Sequence, residues 1–234
     1  MFQQLFDPVS STYTYLLADD ATREAVVIDP VLESVDRDVA LLRESGLTLR
    51  FVLDTHVHAD HVTGAQALKE ETGALTCVCG DCGTWGYDRE FEDGDAVAFG
   101  GERIEVIATP GHTPGSVCYK WRDAVFTGDT LLIGGCGRTD FQHGNAAQLY
   151  ESITRRLFTL DDATRVFPGH DYHGRTSSTI GEERRTNPRL AGRSRDEFVH
   201  LMENLALPLP NRIHEAVPAN LAGGVPAPKA GSRS

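Results

Sequence analysis

The chain has 234 residues, of which 40% are hydrophobic and 24% are charged, a composition typical of a globular protein with a sizeable core. Its formal net charge of −12 argues against a surface that binds nucleic-acid phosphates, because such surfaces are normally basic. No apolar run reaches the roughly 18 residues that cross a bilayer, and the N-terminus lacks the basic start and apolar core of a secretion signal, so we expect a cytoplasmic protein without membrane contact.

The first predicted elements are a β-hairpin and a helix. Polar and apolar side chains alternate in residues 12–17, and residues 24–30 follow after a short acidic turn, which is typical of two paired strands. In residues 34–45, Val35, Val39 and Leu42 fall at i, i+4 and i+7, and Gly46 follows as a C-cap. This pattern predicts an amphipathic helix.

The next predicted strand, residues 49–53, leads into a segment rich in histidine. Three imidazoles and one carboxylate stand within six consecutive positions, at His56, His58, Asp60 and His61. Imidazole and carboxylate together suit Zn²⁺ or Fe²⁺ at neutral pH, and a loop that leaves a buried strand can be aimed by a rigid sheet. We therefore predict a metal site here, followed by a helix over residues 63–72.

Three more predicted strands end in candidate metal ligands. Residues 104–108 lead to His112, residues 124–127 lead to Asp129, and the last strand, 164–167, leads to His170. Turns at residues 93–95 and 99–101 separate the strands of this region. A single histidine at a strand end is more often a hydrogen-bonded surface residue. Four strands that deliver ligands from the same end indicate one shared metal site.

The chain has five cysteines, an odd number without an export signal, so we expect reduced thiols rather than disulfides. Cys77, Cys79 and Cys82 could imitate a zinc knuckle, but no second Cys/His pair follows at the spacing of a zinc finger. We interpret them as packing and surface thiols.

The last third of the chain is predicted to be mainly helical. Asn145 is a candidate N-cap for a helix in which Leu149, Ile153 and Leu157 share a face, and residues 194–197 form a capping box. We interpret residues 182–185, Glu-Glu-Arg-Arg, as a solvated helix face. We expect one catalytic domain over residues 1–221, with C-terminal helices from about residue 176, and a flexible tail over residues 222–234.

The ligand pattern resembles that of the metallo-β-lactamase superfamily. The shared motif is His-x-His-x-Asp-His, then a later His, Asp and His, and it is matched by His56, His58, Asp60, His61, His112, Asp129 and His170. The resemblance implies an α/β fold, an αββα sandwich with the metal at one edge of two sheets, and here a short helical C-terminal extension. It does not determine the reaction, because one fold hosts many chemistries.

A narrower resemblance, to the persulfide dioxygenases, rests on residues 127–141, 171–174, 182–190 and 216–220. It implies one Fe(II) per chain, which binds glutathione persulfide and O₂ side by side and yields sulfite and glutathione in sulfide detoxification. The ferrous ion would be held by two histidines and one aspartate, which leaves three adjacent coordination positions open. The implied ligands are His56, His112 and Asp129. The other four candidates would either surround the metal or bind a second one, and they are His58, Asp60, His61 and His170.

The same resemblance implies substrate contacts. Arg138 and Arg189 would pair with the carboxylates of glutathione, or only tie helices to the core. Tyr172 would reach the metal pocket with its hydroxyl, as a catalytic and substrate-binding residue. Asp140 would act in catalysis, or only orient Arg138 or a histidine. The alternative function is a glyoxalase II-like hydroxyacylglutathione hydrolase with a dinuclear site. A third is a metal-retaining protein without catalysis, and a homodimer is left open.

Overall fold

In the computed structural model, which describes residues 1–225, twelve strands form two six-stranded sheets. The first sheet has the spatial order β1 (Phe2–Asp7), β2 (Thr12–Ala18), β3 (Glu24–Ile28), β4 (Thr48–Leu53), β5 (Leu75–Cys79) and β6 (Arg89–Phe91). The second has the order β12 (Ser178–Thr179), β11 (Arg165–Pro168), β10 (Ala124–Gly128), β9 (Val117–Trp121), β8 (Glu102–Ala108) and β7 (Ala96–Phe99).

Helices cover the outer face of each sheet. They are α1 (Val35–Glu44), α2 (Ala65–Thr72), α3 (Ala146–Ser152), α4 (Ile180–Thr186), α5 (Arg195–Glu203) and α6 (Ile213–Leu221), and α3 continues as a π-helical turn, Ile153–Leu157. Apolar residues of α1 and α2 pack on the first sheet, and those of α3, α4 and α5 pack on the second. The predicted αββα sandwich is therefore confirmed. None of the helices in residues 1–225 is both long and apolar enough to cross a membrane.

The core between the sheets also holds the strand ends in place. Tyr15 and Phe126, from opposite sheets, have ring centroids 4.8 Å apart. The buried hydroxyl of Tyr15 donates to the carbonyl of Pro168 at 2.5 Å, and that of Tyr119 donates to the carbonyl of Asp54 at 2.9 Å. Buried tyrosines need such partners for their hydroxyls. Because Asp54 and Pro168 stand just before two segments of candidate ligands, the aromatic core fixes where those segments start.

Most of the predicted elements are present. The hairpin is confirmed, since β2 and β3 pair antiparallel, and the capping box of Ser194 and Glu197 begins α5. Helix α2 ends at Gly73, whose φ of 76° is the left-handed conformation that glycine adopts most easily. All five cysteines are free. Strand β1 was not predicted, because its sequence does not alternate and only its full-length pairing with β2 gives it order.

The interpretation of residues 182–185 as a solvated helix face is wrong for one residue. Glu183 is 2% exposed, while its three neighbours in the segment are exposed. Its Oε2 accepts hydrogen bonds from the amide of Gly134 at 2.9 Å and from Nδ2 of Asn187 at 2.7 Å. The carboxylate is buried because α4 packs on the loop that follows β10, a contact that helical spacing alone does not show.

The packed part of the chain extends past the predicted domain boundary at residue 221. Gly223 accepts a hydrogen bond from the amide of Gln66 at 3.1 Å, and the amide of Gly224 donates to Ala219 at 2.9 Å. Residues 226–234, the rest of the predicted tail, lie outside the described residues.

Asp38 is a buried carboxylate on the inner face of α1. It is 2% exposed and pairs with Arg37, whose Nη2 lies 2.8 Å from Oδ1. Burial raises the pKa of Asp38 to about 6, and the Arg37 guanidinium opposes this only in part. The pKa of Asp38 in the folded state exceeds the value of about 3.9 that an aspartate has in an unfolded chain. At a pH between these two pKa values, folding therefore takes up a proton. The free energy of unfolding therefore falls as the pH rises from about 4 to about 6.

We predict that Asp38→Asn removes this pH dependence. Relative to the variant, the parent protein should lose up to about 3 kcal/mol of unfolding free energy between about pH 4 and about pH 7, because two pKa units correspond to that amount. Urea unfolding of the metal-free proteins at both pH values measures the difference. Asp36→Asn, at an exposed position of the same helix, is the control. Parallel pH profiles for the parent protein and Asp38→Asn would contradict the prediction.

Candidate metal centre

Four strand ends meet at one edge of the sandwich and carry the candidate ligands. Strand β4 leads to His56, β8 to His112, β10 to Asp129 and β11 to His170. β10 and β11 are parallel, and β8 and β10 are both antiparallel to β9, so these three strands of the second sheet end on the same side. The predicted convergence of strand ends is present in the structure.

The side chains at this edge form two adjacent groups of metal donors. The ligand atoms of His56, His112 and Asp129 lie within 4.8 Å of one another, and so do those of a second group, His58, Asp60 and His61. His170 connects the groups, because its Nε2 is 3.6 Å from Oδ1 of Asp129 and 3.6 Å from Oδ2 of Asp60. Within the first group, Oδ2 of Asp129 is 3.7 Å from Nε2 of His112. All seven residues identified in the sequence therefore belong to one cluster.

Backbone carbonyls determine which nitrogen of two imidazoles faces this cluster. Nδ1 of His112 lies 2.7 Å from the carbonyl oxygen of Arg138, and Nδ1 of His170 lies 3.2 Å from that of Ser11. A carbonyl oxygen only accepts hydrogen bonds, so Nδ1 carries the proton in both rings. The lone pair of Nε2 is then available to a metal, which is the usual arrangement of ligating histidines.

Asp29, at the end of β3, holds the first part of the histidine-rich loop. Its carboxylate accepts hydrogen bonds from the amide of Thr55 at 2.7 Å and from the hydroxyl of Thr55 at 2.9 Å, and it lies 3.1 Å from Nε2 of His58. The Thr55 hydroxyl also contacts Nδ1 of His56 at 2.9 Å. Sequence analysis missed this role of Asp29. The signal was available, because an acidic residue at a strand end is also what located the candidate ligand Asp129.

The pKa values of the cluster follow from burial and from the neighbouring charges. Burial, together with the adjacent His58 and His112, holds the pKa of His56 well below its usual value, so this ring is neutral and able to bind a cation. Burial also disfavours protonation of His58, but the carboxylates of Asp29 and Asp54 outweigh it and raise its pKa to about 9. His56 is therefore in the neutral form that binds a metal, while the proton of His58 is stabilised by the Asp29 carboxylate beside it.

Three buried polar atoms of the cluster have no hydrogen-bond partner among the described residues. They are Nδ1 of His58, Nε2 of His61 and Oδ1 of Asp129. Buried polar groups are almost always hydrogen-bonded, because leaving them unpaired costs free energy. A divalent cation next to these atoms would satisfy them. The residues present thus fit a metal ion of the kind that imidazole and carboxylate ligands bind.

A cavity of about 540 Å³ opens over the donors, a volume typical of small-molecule sites. Its floor includes His56, His112 and Asp129, and its opposite wall is the loop of residues 207–211. Sequence analysis missed this loop, since its leucine and proline side chains have no catalytic chemistry. A second cavity, of about 410 Å³, adjoins the first, because Asp60, Tyr172 and Asn211 line both, and it is also lined by His61 of the cluster.

Arg138 lines the large cavity, but most of its donors are already used. Its Nε and Nη2 pair with the two carboxylate oxygens of Asp140, both at 2.6 Å. Nη1 donates to the carbonyl of Pro208 at 2.5 Å, and Nη2 also donates to that of Leu207 at 3.2 Å. Asp140 is not among the cavity-lining residues. This geometry supports the alternative in which Asp140 orients Arg138, and it gives Arg138 the further task of holding the cavity wall.

Arg189 and Tyr172 also line the cavity. Arg189 donates through Nη1 to the carbonyl of Cys136 at 2.6 Å, and its Nε and Nη2 have no hydrogen bond within the described residues. The Tyr172 ring is 69% exposed and lies parallel to that of His170, with centroids 6.1 Å apart. Partial burial of its hydroxyl and the nearby carboxylates of Asp129 and Asp60 raise the pKa of Tyr172, so the hydroxyl keeps its proton.

The fold and the donor cluster define the class of protein. A sequence profile of the metallo-beta-lactamase superfamily matches residues 7–170, which include every candidate ligand from His56 to His170. The chain therefore belongs to the metallo-beta-lactamase superfamily.

Individual relatives narrow this assignment. The chain is 49% identical over 232 residues to the human protein "Persulfide dioxygenase ETHE1, mitochondrial", and the match covers 98% of this chain and 91% of that protein. The crystal structure of ETHE1 from Myxococcus xanthus has a TM-score of 0.94 and 57% identity, over 96% of this chain and 99% of that one. Within the superfamily, the chain belongs to the persulfide dioxygenase family.

A more distant structure, TTHA1623 in a di-iron-bound form, has a TM-score of 0.68 and 29% identity, over 81% of this chain and 100% of that one. That related protein has thus been crystallised with two iron ions bound.

We predict that Gly137→Ala disrupts the donor cluster. A Cβ at this position would lie 2.2 Å from the carbonyl oxygen of Asp129 and 2.8 Å from Nδ1 of His112, distances that real Cβ atoms do not reach. To relieve these clashes, the backbone of Asp129 or the ring of His112 must move, and each belongs to a candidate ligand. The affinity for a divalent metal should therefore fall by about 10-fold or more. Titration of the metal-free protein with Zn²⁺ in the presence of a competing chelator measures this affinity.

The matched control for this substitution is Gly135→Ala, two residues earlier in the same loop. A Cβ there would meet only the Leu132 side chain, at an ordinary distance of 3.9 Å. This control should bind Zn²⁺ as the parent protein does. Equal affinities for the two alanine variants would show that the close approach at Gly137 does not matter.

Proposed function

We propose that this protein is an iron-dependent persulfide dioxygenase that oxidises glutathione persulfide with O₂ to sulfite and glutathione, as a step in sulfide detoxification. The observation that carries the proposal is the group of His56, His112 and Asp129 on the floor of an open cavity, in a chain that belongs to the persulfide dioxygenase family. One persulfide, one O₂ and one water give one glutathione, one sulfite and two protons. The outer sulfur loses four electrons, and O₂ accepts them.

In this proposal His56, His112 and Asp129 hold a single ferrous ion. Two imidazoles and one carboxylate are a donor set that would bind Fe(II) and leave it accessible to other ligands. Bound Fe(II) supplies the redox chemistry and the neighbouring positions that a sulfur ligand and O₂ require. The chain positions the ligands through the carbonyl of Arg138 behind His112 and the hydroxyl of Thr55 behind His56. These hydrogen bonds keep the rings oriented whether or not substrate is present.

His58, Asp60, His61 and His170 then support the iron site without binding the ion. All four have hydrogen-bond partners in the protein. Nδ1 of His61 lies 2.9 Å from Oδ2 of Asp60, Nε2 of His58 lies 3.1 Å from Asp29, and Nδ1 of His170 lies 3.2 Å from the carbonyl oxygen of Ser11. The alternative is that these four residues bind a second metal, for which the unpaired nitrogens of His58 and His61 would serve. Metal analysis of anaerobically purified protein separates the two, because it counts one or two iron ions per chain.

The cavity walls give the substrate its contacts in this proposal. Arg189 uses its unpaired N–H donors to bind a carboxylate of glutathione, and Tyr172 donates a hydrogen bond from its protonated hydroxyl to the bound substrate. Arg138 has one N–H donor left for the substrate, and it mainly holds the loop of residues 207–211 in place. The leucine and proline side chains of this loop shield the reacting sulfur from water.

The cellular location and the assembly of the protein stay predictions. We propose a cytoplasmic enzyme, whereas the name of the human relative includes the word mitochondrial. Whether the protein is a homodimer is left open. Cell fractionation and light scattering would address the two points.

We predict that the iron-loaded protein consumes O₂ and releases sulfite when glutathione persulfide is added. An oxygen electrode and a sulfite assay should show equal amounts of O₂ consumed and sulfite formed. Asp129→Ala should retain no iron and fall to background, because the carboxylate that balances the metal charge is lost. Turnover of S-lactoylglutathione without O₂ uptake would instead support the glyoxalase II-like hydrolase, which the family relatives do not favour.

Arg189→Ala should mainly weaken substrate binding. Loss of a charge-assisted hydrogen bond costs about 1.5 to 3 kcal/mol, so KM for glutathione persulfide should rise about 10- to 100-fold while kcat changes little. Arg185→Ala is the matched control, since Arg185 is exposed and pairs with Asp162 away from the cavity. A fall in kcat at saturating substrate, with KM unchanged, would contradict a role in binding the carboxylate.

A further inference from the structure

We propose that Asn220, on the C-terminal helix α6, is a positioning residue for the metal-binding loop of residues 54–64. The inference rests on the proposed metal site and adds a residue outside the superfamily match, which ends at residue 170. Asn220 lies 157 to 162 residues after the loop positions that it contacts. It contacts their backbone and not the side-chain atoms of the candidate ligands.

The side-chain amide of Asn220 forms three hydrogen bonds with the backbone of this loop. Its Oδ1 accepts a hydrogen bond from the amide of Thr63 at 2.8 Å. Its Nδ2 donates to the carbonyl of His58 at 2.9 Å and to the carbonyl of His61 at 2.8 Å. Asparagine alone at this length offers one acceptor and two donors in a plane. The three contacts thus determine both the identity and the orientation of the side chain.

The loop needs such a partner because it has no regular secondary structure. Residues 54–64 form bends and a single bridge, so few of their backbone groups are paired with each other, yet the loop is almost entirely buried. Buried carbonyls and amides require hydrogen-bond partners from elsewhere. Asp29 supplies them for the first part of the loop, at Thr55, and Asn220 supplies them for the second part.

Packing around Asn220 explains why this contact is rigid. The side chain is 0% exposed, and small apolar residues beside it, Ala216 and Ala219, pack against Val62 of the loop. Water therefore does not compete for the three hydrogen bonds. Helix α6 holds the turn between His58 and His61 in one conformation, which keeps the imidazoles of the loop where the cluster requires them.

Two substitutions separate the donor and acceptor contributions of this amide. Asn220→Ala removes all three hydrogen bonds. Asn220→Asp keeps the shape of the side chain and the acceptor for Thr63, but it places an oxygen against the carbonyls of His58 and His61. The control is Asn187→Ala, because Asn187 is equally buried and its Nδ2 donates to Gly135 at 2.9 Å and to Glu183 at 2.7 Å, outside the loop.

The measurements are the affinity of each metal-free protein for Fe²⁺ under nitrogen, in competition with a chelator, and the rise in Tm that Fe²⁺ produces. Removal of a residue that supports metal ligands typically weakens binding by about 10- to 100-fold. We expect losses of that size for Asn220→Ala and Asn220→Asp, with a smaller rise in Tm. Asn187→Ala should lower the Tm of the metal-free protein but leave the affinity unchanged.

The outcomes distinguish this inference from the proposed function. Wild-type affinity in Asn220→Asp, or in a folded Asn220→Ala, would overturn the role of Asn220 while leaving the metal site intact. If Asn220→Ala does not fold, Asn220→Asp decides. An equal loss of affinity in Asn187→Ala would also overturn it, because general destabilisation would then explain the effect. Absence of Fe²⁺ binding in the parent protein would overturn the proposed function, and this inference with it.

Discussion

The burial of several imidazoles and carboxylates at one edge of the sandwich is the constraint on which the rest of the structure depends. Polar groups removed from water must find partners, and charges must find opposite charges. Here the partners are backbone carbonyls behind His112 and His170, and the Asp29 carboxylate behind the loop. Three buried atoms of the cluster, on His58, His61 and Asp129, have no hydrogen-bond partner among the described residues, and they mark the place where a cation would complete the site.

The segment after residue 170 supplies part of the cavity wall over the donor cluster. The superfamily match supplies the donors, but Arg189, the loop of residues 207–211 and Asn220 all lie beyond it. Arg138 connects the two regions, because its backbone carbonyl orients His112 while its side chain holds the carbonyls of Leu207 and Pro208. In the proposed function the walls of the cavity, rather than the donors, determine the substrate specificity, since one fold hosts many chemistries.

The aromatic core and the metal centre are mechanically linked. The buried hydroxyls of Tyr15 and Tyr119 bind the carbonyls of Pro168 and Asp54, each two residues before a candidate ligand. A close-packed core transmits small displacements, so substitutions among these aromatic residues should be felt at the ligands. This arrangement explains how ligands on separate loops reach a common geometry before any metal is bound.

The sequence by itself determined most of the strands and helices and all seven candidate ligands of the superfamily motif, because alternation, capping residues and histidine spacing are local signals. The capping box at Ser194 and the ligands after β4, β8, β10 and β11 were all readable in this way. Only the tertiary structure decided which ring nitrogen faces the donor cluster, that Arg138 is held by Asp140 and a distant loop, that Glu183 is buried, and that Asn220 supports the histidine-rich loop. These features depend on contacts between residues far apart in the chain, for which no local pattern exists.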